Sequence, residues 1–537
     1  MRLFVLVLLA SQLSIGLASD PIAEIQAKAI ADGKADFGHW GPNPDKYSSW
    51  TSHSNRLIPI YTFGRSLSDF TGANSVYRSE EQLRQIYGQL PSHTLNPNAQ
   101  YCDQTDVYRI QQAAVVEGAK RVILFVFDGM DWQTTWAAAT AKKGEVAYRD
   151  GRGTGLAFQD YRGTETDFGF FVTSPHNNGT NASVDNQQIA NPGGKTGGGY
   201  DAERCGQTPW APIADANYPI TAGGDLEVKH AYTDSASSAT SMTAGIKTYN
   251  NAINVDSVGR EVLPIARTLQ QDGFAIGVVS SVPISHATPA CAYANNVHRS
   301  DYQDLTRDLL GLPSIFHPGG LSGVDVLLGA GWGEEADKDG AQGANFVPGN
   351  QYLTSQDLHT CSSENGGSYV VAQRTSGKEG VKVLDSAVYS AIDKKQRLFG
   401  FFGVKGGHLP YQTADGSYNP VASVGNPASA AAEVYSPDDL SENVTLSQMT
   451  QAALDVLDSR SSKWWLMVEA GDVDWANHSN NIDNSIGAVL SGEMAFQTVV
   501  NWIEDHGGWQ DTLVVLTADH GHYLVLDQPE LLGARAQ

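Results

Sequence analysis

The chain has 537 residues, 41% of them hydrophobic and 18% charged, enough to bury a large core and ordinary for a folded protein. Its 35 Lys and Arg stand against 59 Asp and Glu, a net charge of −24, which excludes the basic face a nucleic-acid binder needs. The acidity reads as a solvated surface, with a minority of carboxylates left over as possible metal ligands.

The first eighteen residues read as an export signal: Arg2, then the apolar run Leu3 to Ala10, then the small-residue cleavage pattern Gly16-Leu17-Ala18. The run is too short to span a bilayer, and no later segment is long and apolar enough. The expected product is therefore exported, periplasmic or extracellular, with no membrane span. From Ser19 to Gly118 the chain reads as a polar, loop-rich extension with one helical stretch near Glu80 to Tyr87. Residues 119–537 read as the catalytic domain.

Within it, Arg121 to Phe127 is a continuous apolar run that stops at Asp128-Gly129, the pattern of a buried parallel strand. Ala275 to Val279, Trp464 to Val468 and Thr512 to Leu516 repeat it. Helical patterns lie at Leu263 to Asp272, Leu446 to Leu457 and Gly492 to His506. Alternating buried strands and helices predict an α/β three-layer sandwich, a largely parallel central sheet flanked by helices. Gly-, Asn- and Thr-rich stretches near 150–228 and 330–440, the latter irregular over about 330–370 and 405–440, read as surface insertions. Gly194-Lys195-Thr196 is not a P-loop, because Ile189 stands where a glycine is needed and no strand leads in. Cys102, Cys205, Cys291 and Cys361 could form up to two disulfides in any of three pairings, and none lies in a CxxC pair that would hold zinc.

The chemistry gathers where the strands stop. Ligands of open α/β sheets bind at the carboxyl ends of strands. Asp128 ends the first run, Ser285-His286-Ala287-Thr288 follows the second, Glu469 ends the third, and Thr517-Ala518-Asp519-His520 the fourth. Any one of these acids alone reads as a helix cap. Asp474 and His478 are four residues apart, so on a helix they share a face and can grip one ion. Four clustered carboxylates cannot all stay ionised unless divalent cations compensate them. Ser235 precedes a run of small residues, Ala236 to Ala244, that suits a helix whose N-terminus offers N–H groups to an anion.

Together these stretches resemble the alkaline phosphatase family. Thr233 to Thr240 (TDSASSAT) is similar to its nucleophile signature, Glu469-x4-Asp474-x3-His478 and Thr517 to His522 (TADHGH) to its metal motifs, and Asp128-Gly129-Met130 to its first ligand motif, although Asp131 stands where Gly is usual. The resemblance implies a phosphomonoesterase that forms a phosphoserine at Ser235, with two zinc ions and one magnesium ion. It implies one zinc on Asp128, Asp519, His520 and Ser235, a second on Asp474 and His478, and magnesium on Asp128, Thr288 and Glu469. His522 would orient Asp474, and Arg299, eleven residues after Thr288, would clamp the phosphate. His286 and Trp475 stand where some members have Asp and Lys. Homodimers are implied as well.

One departure stands out. The family takes a further zinc-ligand histidine from a segment well after the Asp-His-x-His motif, and here no histidine follows His522. The sequence therefore reads as truncated at its C-terminus, its second zinc short of the three protein ligands usual at catalytic zinc. Two rivals follow: a related phosphodiesterase or sulfatase, which Asp-Ser-Ala-Ser-Ser fits poorly for want of Pro and Arg, and an impaired exported phosphate- or metal-binding protein.

Overall fold

The computed structural model describes residues 20–220, 230–337, 341–424 and 431–534. The export-signal reading falls on residues 1–18, outside the described residues. Ten strands form the central sheet: β1 (Ile58–Phe63), β2 (Cys102–Asp103), β3 (Arg121–Phe127), β4 (Thr166–Val172), β5 (Ala275–Pro283), β6 (Val326–Ala330), β7 (Tyr369–Gln373), β8 (Arg397–Phe401), β9 (Trp464–Ala470) and β10 (Thr512–Thr517). They lie in the order β7-β8-β6-β5-β9-β3-β10-β1-β4-β2. Every pair from β7 across to β10 is parallel, and β1 runs against both of its neighbours.

The helices that matter for the site are α1 (Pro21–Asp32), α2 (Thr105–Val116), α3 (Trp132–Lys143), α4 (Ser235–Ala244), α5 (Ala287–Cys291), α6 (Gly380–Lys394), α7 (Leu446–Arg460), α8 (Asp472–His478) and α9 (Ile482–Asp505). Helices α6, α7 and α9 cover one side of the sheet, and α2 with α4 and α5 the other. Two adjacent tryptophans on β9 show why both sides must be covered. Side chains alternate along a strand, so Trp464 meets Trp502 of α9 edge-on at 5.6 Å between ring centroids. Trp465 points the opposite way, where its Nε1 donates to Gln111 Oε1 of α2 at 2.8 Å. Strands buried on both faces must be apolar throughout, which is how β3, β9 and β10 read. The three-layer α/β sandwich is the observed fold.

Several expectations are corrected. The stretch from Ser19 to Gly118 is more ordered than its composition implies: besides the helix at Glu80–Tyr87 it supplies α1, α2 and the sheet strands β1 and β2. The presumed insertions supply sheet strands too, β4 within 150–228 and β7 and β8 within 330–440. Helix α9 begins at Ile482, ten residues before the apolar pattern at Gly492. The four cysteines are all buried free thiols on separate elements, so no disulfide forms. Burial pushes the Cys205 thiol up to about 11 and Cys291 up to about 12, which leaves them unreactive. Among the described residues no helix is long and apolar enough to cross a membrane.

Trp465→Phe removes the buried donor to Gln111 and leaves that amide oxygen unpaired. The expected loss is about 1–3 kcal/mol of unfolding free energy, read from urea titrations at constant m-value. An unchanged midpoint would contradict the packing described.

Candidate metal and phosphate site

Strands β3, β9 and β10 lie side by side in parallel, so their carboxyl ends deliver side chains to one place. Asp128 follows β3, Glu469 sits at the end of β9 opposite Ser280 of β5, and Asp519-His520 follow β10. All four side chains are fully buried. Helix α8 starts just after β9 and adds Asp474. Asp128, Asp519 and His520 offer donor atoms within 4.8 Å of one another, as do Asp128, His286 and Glu469.

The turn at Gly129 lets these groups converge. Its φ is +73°, a conformation side chains resist, and a Cβ there would lie 2.7 Å from His522 Nε2 and 3.2 Å from the Asp474 backbone. Its N–H donates to Asp519 Oδ1 at 2.9 Å, and its carbonyl accepts from Asn477 Nδ2 at 3.0 Å, so one residue holds the loop after β10 and α8 together. Asp131, the departure from the family's glycine, caps α3, its Oδ1 accepting from the Thr134 N–H at 2.9 Å.

Ser235 is the first residue of α4, capped by Asp234, whose carboxylate accepts from the Ser237 N–H. Its Oγ lies 3.1 Å from His520 Nε2. Ser238, one turn on, donates to the Asp519 carbonyl at 2.8 Å and ties the helix to the ligand loop. Arg299 Nη1 donates to Asp234 Oδ2 at 3.0 Å, and Nη2 to His286 Nε2 at 3.2 Å. Burial, then the Arg299 guanidinium, push His286 down to about 3, so it is the neutral acceptor. Trp475 meets the His286 ring edge-on at 5.8 Å. A cleft of about 610 Å³ opens here, lined by Asp234, His286, Arg299, Asp474, Trp475 and His478. Thus all twelve candidate residues converge on one end of the sheet, with Thr288 on α5 beside Glu469.

The same cleft holds residues that the sequence reading missed. His53 lines it, and so do Tyr302, His408, Tyr411 and Glu433. His408 stacks on Tyr411 at 4.0 Å and bonds Glu433 at 3.1 Å, forming one wall from an irregular segment. Nothing in that segment's composition marks it.

The electrostatics fit divalent cations. Both Asp128 oxygens, Glu469 Oε1 and Asp519 Oδ2 are buried and accept no hydrogen bond. Burial, then Asp474 and Asp519, raise Asp128 well above the usual carboxylate range, and burial with Asp519 raises Glu469 to about 8. Asp474 is held well below that range despite burial, by His478 and by His522, whose Nε2 lies 2.6 Å from its Oδ1. Hard oxygen donors without partners, with imidazole nitrogens beside them, suit zinc and magnesium.

In the metal-free chain Glu469 holds its proton up to about 8 against an ordinary 4.5, so its contribution to stability is lost as pH rises toward 8. The buried histidines act oppositely, but only below their ordinary 6.5. Chelated protein should therefore lose melting temperature from pH 6.5 to above 8. Zinc with magnesium should remove that loss, and Glu469→Gln should shrink it in the chelated form. A chelated protein equally stable across that range would show that the cluster carries no such strain.

Residues 208–535 match the family model described as alkaline phosphatase. Alkaline phosphatase 4 of Bacillus subtilis is 28% identical over 290 residues, 54% of this chain and 49% of that protein. Alkaline phosphatase 3 of the same organism is 30% identical over 288 residues, with the same coverage of both. The alkaline phosphatase of Escherichia coli K12 is 26% identical over 302 residues, 56% of this chain and 60% of that one. Among solved structures, a cold-active alkaline phosphatase from Shewanella sp. aligns over 75% of this chain and 68% of its own, at 22% identity and a TM-score of 0.44. The chain spans about half the length of the Bacillus relatives it matches. With more than half of its residues matched by the family model, the chain belongs to the alkaline phosphatase family.

Proposed function

We propose that this chain hydrolyses phosphomonoesters, with Ser235 as nucleophile. The observation that carries the reading is the placement of Ser235 Oγ, at a helix N-terminus and 3.1 Å from His520, beside buried carboxylates of which both Asp128 oxygens, Glu469 Oε1 and Asp519 Oδ2 accept no hydrogen bond.

The family resemblance and this donor set together support one arrangement of cations. Asp128, Asp519 and His520, with Ser235, would hold one zinc, Asp474 and His478 a second, and Asp128, Thr288 and Glu469 magnesium. When bound, such ions supply Lewis acidity: they favour the serine alkoxide and offset charge on the leaving oxygen.

The remaining work falls to the chain. The first N–H groups of α4 and the Arg299 fork face the phosphate from two sides. Asp234 and His286 hold that fork at fixed distances, so little side-chain freedom is lost on binding. Ser235 Oγ forms a bond to phosphorus as the ester P–O bond breaks, and the alcohol leaves with a proton. Water then attacks the phosphoserine, releasing inorganic phosphate and restoring Ser235.

His408, Tyr411 and Trp475 line the cleft together with Arg299, and its volume of about 610 Å³ fits small phosphomonoesters. The leader-like Met1 to Ala18 supports export to the periplasm or cell exterior. Homodimerisation rests on the family resemblance. Glu469, the second acidic ligand of the proposed magnesium position, favours the monoester reading over a diesterase.

Ser235→Ala should abolish phosphomonoester turnover and the acid-stable phosphoserine. Arg299→Ala should weaken binding of inorganic phosphate by about 1.5–3 kcal/mol, roughly 10- to 150-fold. Turnover by Ser235→Ala at the wild-type rate would sink the mechanism.

A further inference from the structure

We propose that His53 is the third protein ligand of the zinc position formed by Asp474 and His478, supplied from the N-terminal side of the catalytic core. The assignment rests on the phosphatase reading above and adds a residue to it. Asp474 and His478 alone fall short of the three protein donors that a catalytic zinc takes. The family pattern looks for the missing histidine after His522, where this sequence has none. The structure brings one from the opposite end of the chain order.

His53 Nε2 lies 3.8 Å from Asp474 Oδ1, with the side chain only 12% exposed. Donor atoms of His53, Asp474, His520 and His522 all fall within 4.8 Å of one another. The His53 ring is 4.9 Å from that of His478 and 3.9 Å from that of His520, centroid to centroid. No described hydrogen bond engages a His53 ring nitrogen, whereas His522 is committed to Asp474 at 2.6 Å.

The segment around His53 is built to hold it there. Ser54 pairs with Gly521, its N–H donating to the Gly521 carbonyl at 2.7 Å, which sets His53 beside the His520–His522 loop. Trp50 Nε1 donates to the His53 carbonyl at 3.0 Å. His478 Nδ1 donates to the Thr51 carbonyl at 2.7 Å, across 427 residues of chain, and this turns the other ring nitrogen toward Asp474. Fixing the outer nitrogen of a ligand histidine through a backbone carbonyl is the usual support of a metal ligand. Here the support comes from the segment that also carries His53. Strand β1, five residues on, then enters the sheet beside β10, so ligand and scaffold arrive together. Residues ahead of β3 thus fill the place that the family pattern fills from residues after its last motif.

The test is zinc binding by the full chain, read by elemental analysis after gel filtration and by chelator competition. Wild type should retain two zinc ions. His53→Ala should lose one of them, or bind it at least ~10-fold more weakly, while His53→Cys, which restores a donor, should keep it. Zinc should also protect His53 of the unaltered protein from diethyl pyrocarbonate, read by peptide mass, which needs no variant to fold. Undiminished zinc in His53→Ala, or modification of His53 unaffected by zinc, would overturn the assignment and leave the phosphatase reading standing. A wild-type chain that retains no zinc would overturn both.

Discussion

The structure turns on one electrostatic constraint: Asp128, Glu469, Asp474 and Asp519 are buried within reach of one another. Two like charges about 4 Å apart cost on the order of 4 kcal/mol at an effective dielectric near 20. A folded domain holds only about 5–15 kcal/mol in total. Hydrogen bonds do not relieve Asp128, whose oxygens accept none. His478 and His522 relieve Asp474, while Asp128 stays raised well above the usual carboxylate range. Divalent cations would make four carboxylates tolerable there, and the proposed chemistry draws on the same ions.

The rest of the fold is arranged to hold that repulsion in place. Parallel strands bring Asp128, Glu469 and Asp519 to one edge of the sheet, and buried tryptophans on β9 lock helices to both faces. Gly129 is the tightest point, because its backbone bonds both the Asp519 loop and α8, and no larger residue fits between His522 and Asp474. Helix α4, which begins with Ser235, is fastened to the same loop through Ser238, whose hydroxyl donates to the Asp519 carbonyl. Arg299 stands slightly apart, held by Asp234 and a neutral His286 at the mouth of the cleft.

Much of this was legible in the sequence wherever a local rule applies. A continuous apolar run marks a strand buried on both faces, and β3 fits it. Asp474 and His478 at helical spacing, and Ser235 before a run of small residues, are also local signals. Other features have no local signature. Strand β8, Arg-Leu-Phe-Gly-Phe, is too short to separate from a loop. The first turns of α9 carry Asp, Asn, Ser and Gly, poor helix formers held helical by packing on α1 and α8. Strand β1 is followed and preceded by polar loops, and its pairing with β10 and β4 gives it a place. His53 sits in Thr-Ser-His-Ser, where nothing marks it, and its significance comes from neighbours more than four hundred residues away.

The claim that this cluster is a cation cage is tested most directly by anomalous diffraction at the zinc edge from crystals grown with zinc. The account predicts a peak at about 2.0–2.2 Å from Asp128, Asp519 and His520 donors, with a second beside Asp474 and His478. A folded protein with these side chains in place and no anomalous peak between them would contradict it.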